Sequence, residues 1–314
     1  MISRYIARRL VLLFPVLFGI TLLVFAAVRF APGDPIKLKM GEYYQDEAAL
    51  AMQRLYNLDQ PVPIQYGLWL SQIIRGNFGR SIFTDEPVLQ MILNTAPTTL
   101  YLAVGSMLVA ILISIPLGIF AATHKDTWLD NGSRVLATLG ISLPVFWTGL
   151  LLIIAFAVIF PIFPPGGTVK EYGWKAIVLP SLALGAGLAA LLTRITRSSM
   201  VEVLGEDYVR TAKAKGLSNN TVYYRHALRN ALIPLITIIG FQFGTILGGA
   251  VLTETIFNLP GLGRLLVDSV LRRDYPVIQG GVLLIALIFV ISNLVVDVLY
   301  VFVDPRISYD QDRA

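Results

Sequence analysis

Six long stretches of uncharged, mainly apolar positions divide the chain: Leu10–Val28, one inside Pro87–Thr123, one within Val135–Val169, then Ala176–Thr193, Asn230–Thr253 and Tyr275–Val296. A membrane-crossing helix needs about 20 consecutive residues of this kind. The backbone satisfies its own hydrogen bonds in lipid only as a helix or a closed barrel. The pattern therefore predicts an all-α membrane protein with six transmembrane helices. Pro116, Pro144, Pro161 and Pro180 fall in or beside these stretches and are candidate kinks.

The intervening polar segments are unequal. Ala31–Pro97 is the longest, opening on the turn-forming Ala31-Pro32-Gly33-Asp34-Pro35 and holding two short amphipathic stretches, Glu47–Tyr56 and Tyr66–Ile74. Its acidic residues (Asp34, Glu42, Asp46, Glu47, Asp59, Asp85, Glu86) suit a small cap on one membrane face. Glu254–Pro276 contains a turn at Leu259–Gly263 and an amphipathic run Arg264–Leu271, which suits a half-buried interfacial helix. The organisation is therefore 1–30 for the N-terminus and first span, 31–97 for an extramembrane region, 98–303 for a five-span core, and 304–314 for a tail.

Composition agrees with the pattern. Hydrophobic residues make up 55% of 314 and charged residues 14%, against about 25% charged in soluble domains. Mean hydropathy is +0.70. The absence of cysteine excludes disulfides, thiolate metal sites and cysteine nucleophiles. The 25 basic residues exceed the 20 acidic ones, but they flank spans rather than coat a soluble face, which speaks for topology and not for nucleic acid.

Leaving aside the long 31–97 segment, loop charges split fourteen against five. The N-terminus (Arg4, Arg8, Arg9), the 123–134 loop, the 194–229 loop and the tail hold the fourteen, and the 164–175 and 254–276 loops hold the five. Basic loops stay in the cytoplasm, which puts both termini on that side, as an even number of spans requires. The N-terminal segment resembles a signal peptide, but its apolar run is long and no small-x-small site closes it, so it reads as a retained helix.

The loop at 194–230 holds the most informative stretch, Glu206–Pro234. Arg210, Lys213, Lys215, Arg225 and Arg229 give it five positive charges. Tyr208–Lys215 favours a helix that Gly216 can end in a left-handed cap, and Asn220–Leu232 can begin a second helix, with Ser218 and Asn219 as caps. Such an elbow is either a handle for a soluble partner or a solvated loop near anionic lipid.

Inside the spans, Gly240, Gly244 and Gly248 recur every four residues on one helix face. That face serves either close helix packing or the sliding of two halves of a pore. Gln242 in mid-span and Asn293 with Asp297 one turn apart mark polar interior positions. No G-x-x-x-x-G-K-[ST] is present to cradle ATP, and His124 and His226 fall in loops, away from any intramembrane dyad or metal cluster.

The segment TAKAKG followed by RHALRNALIPL resembles the cytoplasmic loop of binding-protein-dependent ABC importer permeases, with Arg210-Thr211-Ala212 at the Glu-Ala-Ala positions of the generic pattern and Gly216 as its glycine. The acidic first residue is missing. Arg8-Arg9-Leu10, Asn77-Phe78-Gly79, Arg194–Val203, Pro260–Gly263, Arg273-Asp274-Tyr275 and Asp304-Pro305-Arg306 extend the resemblance, which points to the first permease subunit of the dipeptide, oligopeptide, glutathione or nickel class. It implies a type I ABC importer permease fold with a long extracytoplasmic loop after the first helix, in a bacterial inner membrane. It also implies a second permease subunit, two ATPase subunits that carry ATP and magnesium, and an extracytoplasmic solute-binding protein, with no cofactor on this chain. Tyr208, Arg210, Thr211, Ala212, Lys213, Ala214, Lys215, Gly216 and Leu217 would form the helix that couples to an ATPase. Di- and oligopeptides are the expected cargo, with glutathione or nickel chelates as alternatives, and a stand-alone channel or secondary carrier is the rival reading.

Overall fold

The computed structural model describes residues 2–30, 33, 35–43 and 45–303, and side chains for 11–30, 33, 35–43 and 45–295. The expected roles of Arg4, Arg8, Arg9, Ala31, Pro32, Asp34, the Asp297 side chain and the tail 304–314 lie outside the described residues.

Helices in chain order are α1 (Ile2–Phe30), α2 (Pro35–Met40), α3 (Asp46–Leu55), α4 (Val62–Ile74), α5 (Val88–Thr123), α6 (Trp128–Ser142), α7 (Val145–Ile153), α8 (Val169–Tyr172), α9 (Lys175–Leu204), α10 (Asp207–Ala214), α11 (Leu228–Ile256), α12 (Leu262–Arg272) and α13 (Tyr275–Val303). Two stretches wind more loosely as π-helix: Ile154–Ile159 continues α7, and Thr221–Ala227 leads into α11.

Five helices are long and apolar enough to cross a membrane, and α6 with the Val145–Ile159 segment makes a sixth, bent by 101°. The third span is thus broken rather than straight. The ring of Pro144 pushes the residue before it out of the helical region, and Leu143 is extended at φ −77°, ψ 126°. Pro116 and Pro180 lie within α5 and α9 without breaking them, and Pro161 lies beyond the helical residues.

The chain divides into two compact units. The first spans Thr99–Leu259 and, among the described residues beyond it, Ile291–Val303, and α9 is its hub, with 72% of its most apolar window buried. Small residues make this possible. A side chain on Gly185 would run into the Ser106 carbonyl at 2.7 Å, and one on Gly140 would meet Ala190 at 2.9 Å. Backbones that approach this closely gain dispersion contacts that compensate for the absence of a hydrophobic driving force in lipid. Beyond Thr193, where the apolar run ends, α9 continues through a polar stretch to Leu204 because Thr196 and Met200 keep one face buried.

The second unit spans Ser3–Thr98 and Pro260–Val290. Val88, Ile92, Leu262 and Val277 form one of its apolar clusters, and Val28, Ile82 and Tyr275 another. The triplet Arg273-Asp274-Tyr275 ties its loops together. Asp274 accepts hydrogen bonds from the Ser81 hydroxyl and, at 3.0 Å, from the Ile82 amide, while the Tyr275 hydroxyl donates to the Gly33 carbonyl at 3.1 Å. Tyr56 packs beside the second cluster, and its hydroxyl pKa is raised, first by burial and then by the charges of Asp85 and Asp274.

Candidate functional site

The elbow begins where α9 ends at Gly205. Asp207 supplies the acidic first turn of α10, placed where the helix dipole favours a negative charge. The helix ends at Lys215–Gly216 in a Schellman arrangement: the Gly216 amide donates to the Lys213 carbonyl at 3.0 Å and the Leu217 amide to the Ala212 carbonyl at 3.4 Å. Gly216 sits at φ +77°, a conformation that costs an L-residue about 1–2 kcal/mol.

One face of α10 is anchored. Val209 and Ala212 are buried against Val222, with Val203, Leu204 and Tyr223 around them. Asn230, two residues into α11, donates from Nδ2 to the Tyr208 hydroxyl at 2.7 Å. The expected second helix is therefore not a separate element: residues 221–232 are the start of the same helix that carries the fifth span. Of the nine residues expected at the coupling surface, eight are exposed, and Ala212 alone faces inward as part of the anchor. The exposed face is basic through Arg210, Lys213 and Lys215. Arg210 reaches Asp207 at 3.5 Å, with both side chains mostly in solvent, and a pair so exposed contributes little. Ser218 does cap the next helix, accepting from the Thr221 amide at 3.4 Å.

The expected pore positions are less unified. Gly240 is buried, Gln242 and Gly244 are half-buried and Gly248 is exposed, and nothing lies within 4 Å of where a Gly248 side chain would begin. The close approach within this chain falls one residue later, at Gly249, where a Cβ would stand 2.9 Å from Leu184 Cδ1. Thr245 donates to Gln242 Oε1 at 3.4 Å. Asn293 is half-buried on α13, and among the described residues no hydrogen bond joins it to Gln242.

Three polar contacts were not anticipated. Asp130, fully buried on α6, takes a two-point ion pair from Arg197 of α9, with Nε–Oδ1 at 2.5 Å and Nη2–Oδ2 at 2.6 Å. Glu254, expected to open a partly polar loop, is fully buried at the end of α11, where Thr99 donates to it at 2.5 Å. The third is the Tyr208–Asn230 bond. All three join residues far apart in sequence, and only the short polar interruptions in otherwise apolar helices could have hinted at them.

A short, basic amphipathic helix anchored on one face and joined to two spans can take up a push from a soluble surface and pass it to both. Residues 114–309 match the family described as binding-protein-dependent transport system inner membrane component, and residues 1–103 match its N-terminal membrane component. The glutathione transport system permease protein GsiC of Escherichia coli (strain K12) is 45% identical over 305 residues, covering 97% of this chain and 99% of that protein. GsiC of Salmonella typhimurium is equally similar. Among solved structures, the inward-facing MetNI methionine ABC transporter aligns with a TM-score of 0.58 at 15% identity, over 70% of this chain and 99% of that one, a likeness that concerns the fold.

Proposed function

The chain belongs to the family of binding-protein-dependent transport system inner membrane components, as a multi-pass permease subunit of an ABC importer, and we propose that it forms half of a path for small peptides of the glutathione class. The cargo rests on the two GsiC relatives, each 45% identical over almost the full length. That relationship favours the glutathione alternative over the wider di- and oligopeptide expectation.

The motor is supplied by other chains. Two ATPase subunits bind and hydrolyse ATP with magnesium, a second permease subunit completes the path, and an extracytoplasmic solute-binding protein delivers the cargo. The observation that carries the motor attachment is the elbow: Val209, Ala212 and Val222 clamp one face of α10, leaving Tyr208, Arg210, Thr211, Lys213, Ala214, Lys215, Gly216 and Leu217 open to a partner. Arg210, Lys213 and Lys215 suit acidic groups around a cleft on the ATPase. The charge bias of the loops supports a cytoplasmic elbow and cytoplasmic termini.

Affinity purification from membranes tests the assembly, with an ATPase subunit and a second six-span protein expected to co-purify. Uptake of labelled glutathione and of a labelled dipeptide by the reconstituted complex tests the cargo, and ATP-dependent uptake of glutathione is expected. Transport by this chain alone, without nucleotide, would overturn the reading.

A further inference from the structure

The cytoplasmic end of the first unit holds a groove between α6 and α9 that coupling does not use. Its volume is about 570 Å³ and its walls include Arg134, Arg194 and Arg197. That size falls within the range of small-ligand sites. Arg197 is neutralised by Asp130. Arg134 lies within the field of the same carboxylate, but among the described residues neither it nor Arg194 forms an ion pair. The groove therefore carries two exposed guanidinium groups outside any ion pair among the described residues.

Its chemistry changes along its length. Ile141, about 10 Å deeper along α6 than Arg134 at 1.5 Å per residue, is an apolar lining residue and 48% exposed. Along the groove lie hydroxyls whose protons are already committed. Thr138 donates to the Arg134 carbonyl at 2.9 Å, Ser142 to the Thr138 carbonyl at 2.9 Å and Thr193 to the Ala189 carbonyl at 2.7 Å. Their lone pairs are left to accept hydrogen bonds from a ligand. The occupant must then be anionic at one end and apolar at the other. A free anion lacks the apolar part, and a zwitterionic lipid lacks the net charge.

We infer that this groove binds an anionic phospholipid of the inner leaflet, with phosphatidylglycerol as the probe. The phosphate pairs with Arg134 and Arg194, the headgroup lies on the cytoplasmic side of the phosphate beside Ser133 and Ser198, and an acyl chain runs past Ile141. Basic pockets between spans on the cytoplasmic side suit anionic headgroups in this way. The assignment to the inner leaflet rests on the topology given under Proposed function.

The test is native mass spectrometry of the importer with its co-purifying subunits, in nanodiscs of phosphatidylglycerol or phosphatidylethanolamine. Phosphatidylglycerol should be retained by the wild type, and its retention should weaken on the order of tenfold in R134Q/R194Q, with the thermal midpoint unchanged. R194Q alone, at an exposed site, serves if the double variant does not accumulate, and should show a smaller loss. Equal retention by wild type and variant, equal retention of phosphatidylethanolamine, or complete displacement by millimolar inorganic phosphate would each overturn the inference. Because the chain has no cysteine, Ser198→Cys reports the topology separately. Labelling from the outer side would sink the cytoplasmic assignment while leaving phosphatidylglycerol binding standing.

Discussion

Asp130 and Arg197, separated by 67 residues, close on one another through two parallel hydrogen bonds. Asp130 is wholly buried, while the Arg197 side chain keeps 19% of its surface. A buried ion pair gives weak net stability against an apolar replacement, but removing one partner strands a charge at about 3–5 kcal/mol. The residual exposure of Arg197 places Arg197→Gln near the severe end, since that change strands the fully buried carboxylate, and Asp130→Asn nearer the mild end. Thermal unfolding of the purified protein should show both single losses, and Asp130→Asn/Arg197→Gln together should lose less than their sum. Additive losses would show that the two groups do not act as a pair.

Gly216→Leu should leave the protein folded and in the membrane while separating ATP hydrolysis from uptake. Nothing lies within 4 Å of a Cβ at this position, so the change brings no steric clash. What remains is the left-handed backbone at φ +77°, which costs a side chain about 1–2 kcal/mol and displaces the end of α10. Gly216→Asn should be milder, because Asn visits this region more readily. The checks are membrane abundance, ATPase rate and uptake side by side. Undiminished uptake by Gly216→Leu would count against docking through α10.

Tyr208→Phe removes a hydroxyl from the 2.7 Å bond with Asn230. The Tyr208 side chain is 40% exposed, so the loss of stability should be about 0.5–1.5 kcal/mol and toward its lower limit. If α10 couples to the ATPase as proposed, the larger effect should be on transport, because the bond joins α10 to the helix of the fifth span. A lower uptake per ATP hydrolysed, with unchanged abundance, is the expected result, and Asn230→Ala should reproduce it. Normal uptake per ATP in both would assign the coupling to the Val209–Val222 contact alone.

The long apolar runs, the elbow and the two amphipathic stretches after the first span were legible because each is a local pattern. Hydrophobic period and length decide them before any tertiary contact forms. The break at Leu143–Pro144 was half legible: the proline was a candidate kink, yet a bend of 101° depends on which helices receive the two halves. The extension of α9 to Leu204 was hidden because Arg194 and Arg197 end the apolar run while Thr196 and Met200 continue the buried face. Partners such as Thr99 for Glu254 were not legible, since one sequence carries no record of which distant side chains meet. The basic face of α10 could be read, but not that Ala212 turns inward, because that depends on Val222 arriving from the next helix.

Neighbouring glycines on α11 should respond in opposite ways, and this separates packing within the chain from packing against a second permease. A Cβ at Gly249 would stand 2.9 Å from Leu184, so Gly249→Leu overfills the contact between α11 and the hub helix α9. Such overpacking costs about 1–3 kcal/mol and should lower the thermal midpoint of the isolated chain. Gly248 is exposed with open space around it, so Gly248→Leu should leave that midpoint unchanged. If the face of Gly240, Gly244 and Gly248 meets the second permease, a leucine there blocks close backbone approach, and the loss appears as a smaller yield of the heterodimer on size exclusion. Gly244→Leu, half-buried, should show part of both effects. Heterodimer formation that is indifferent to Gly248→Leu and Gly244→Leu would remove this face from the interface and leave it to lipid.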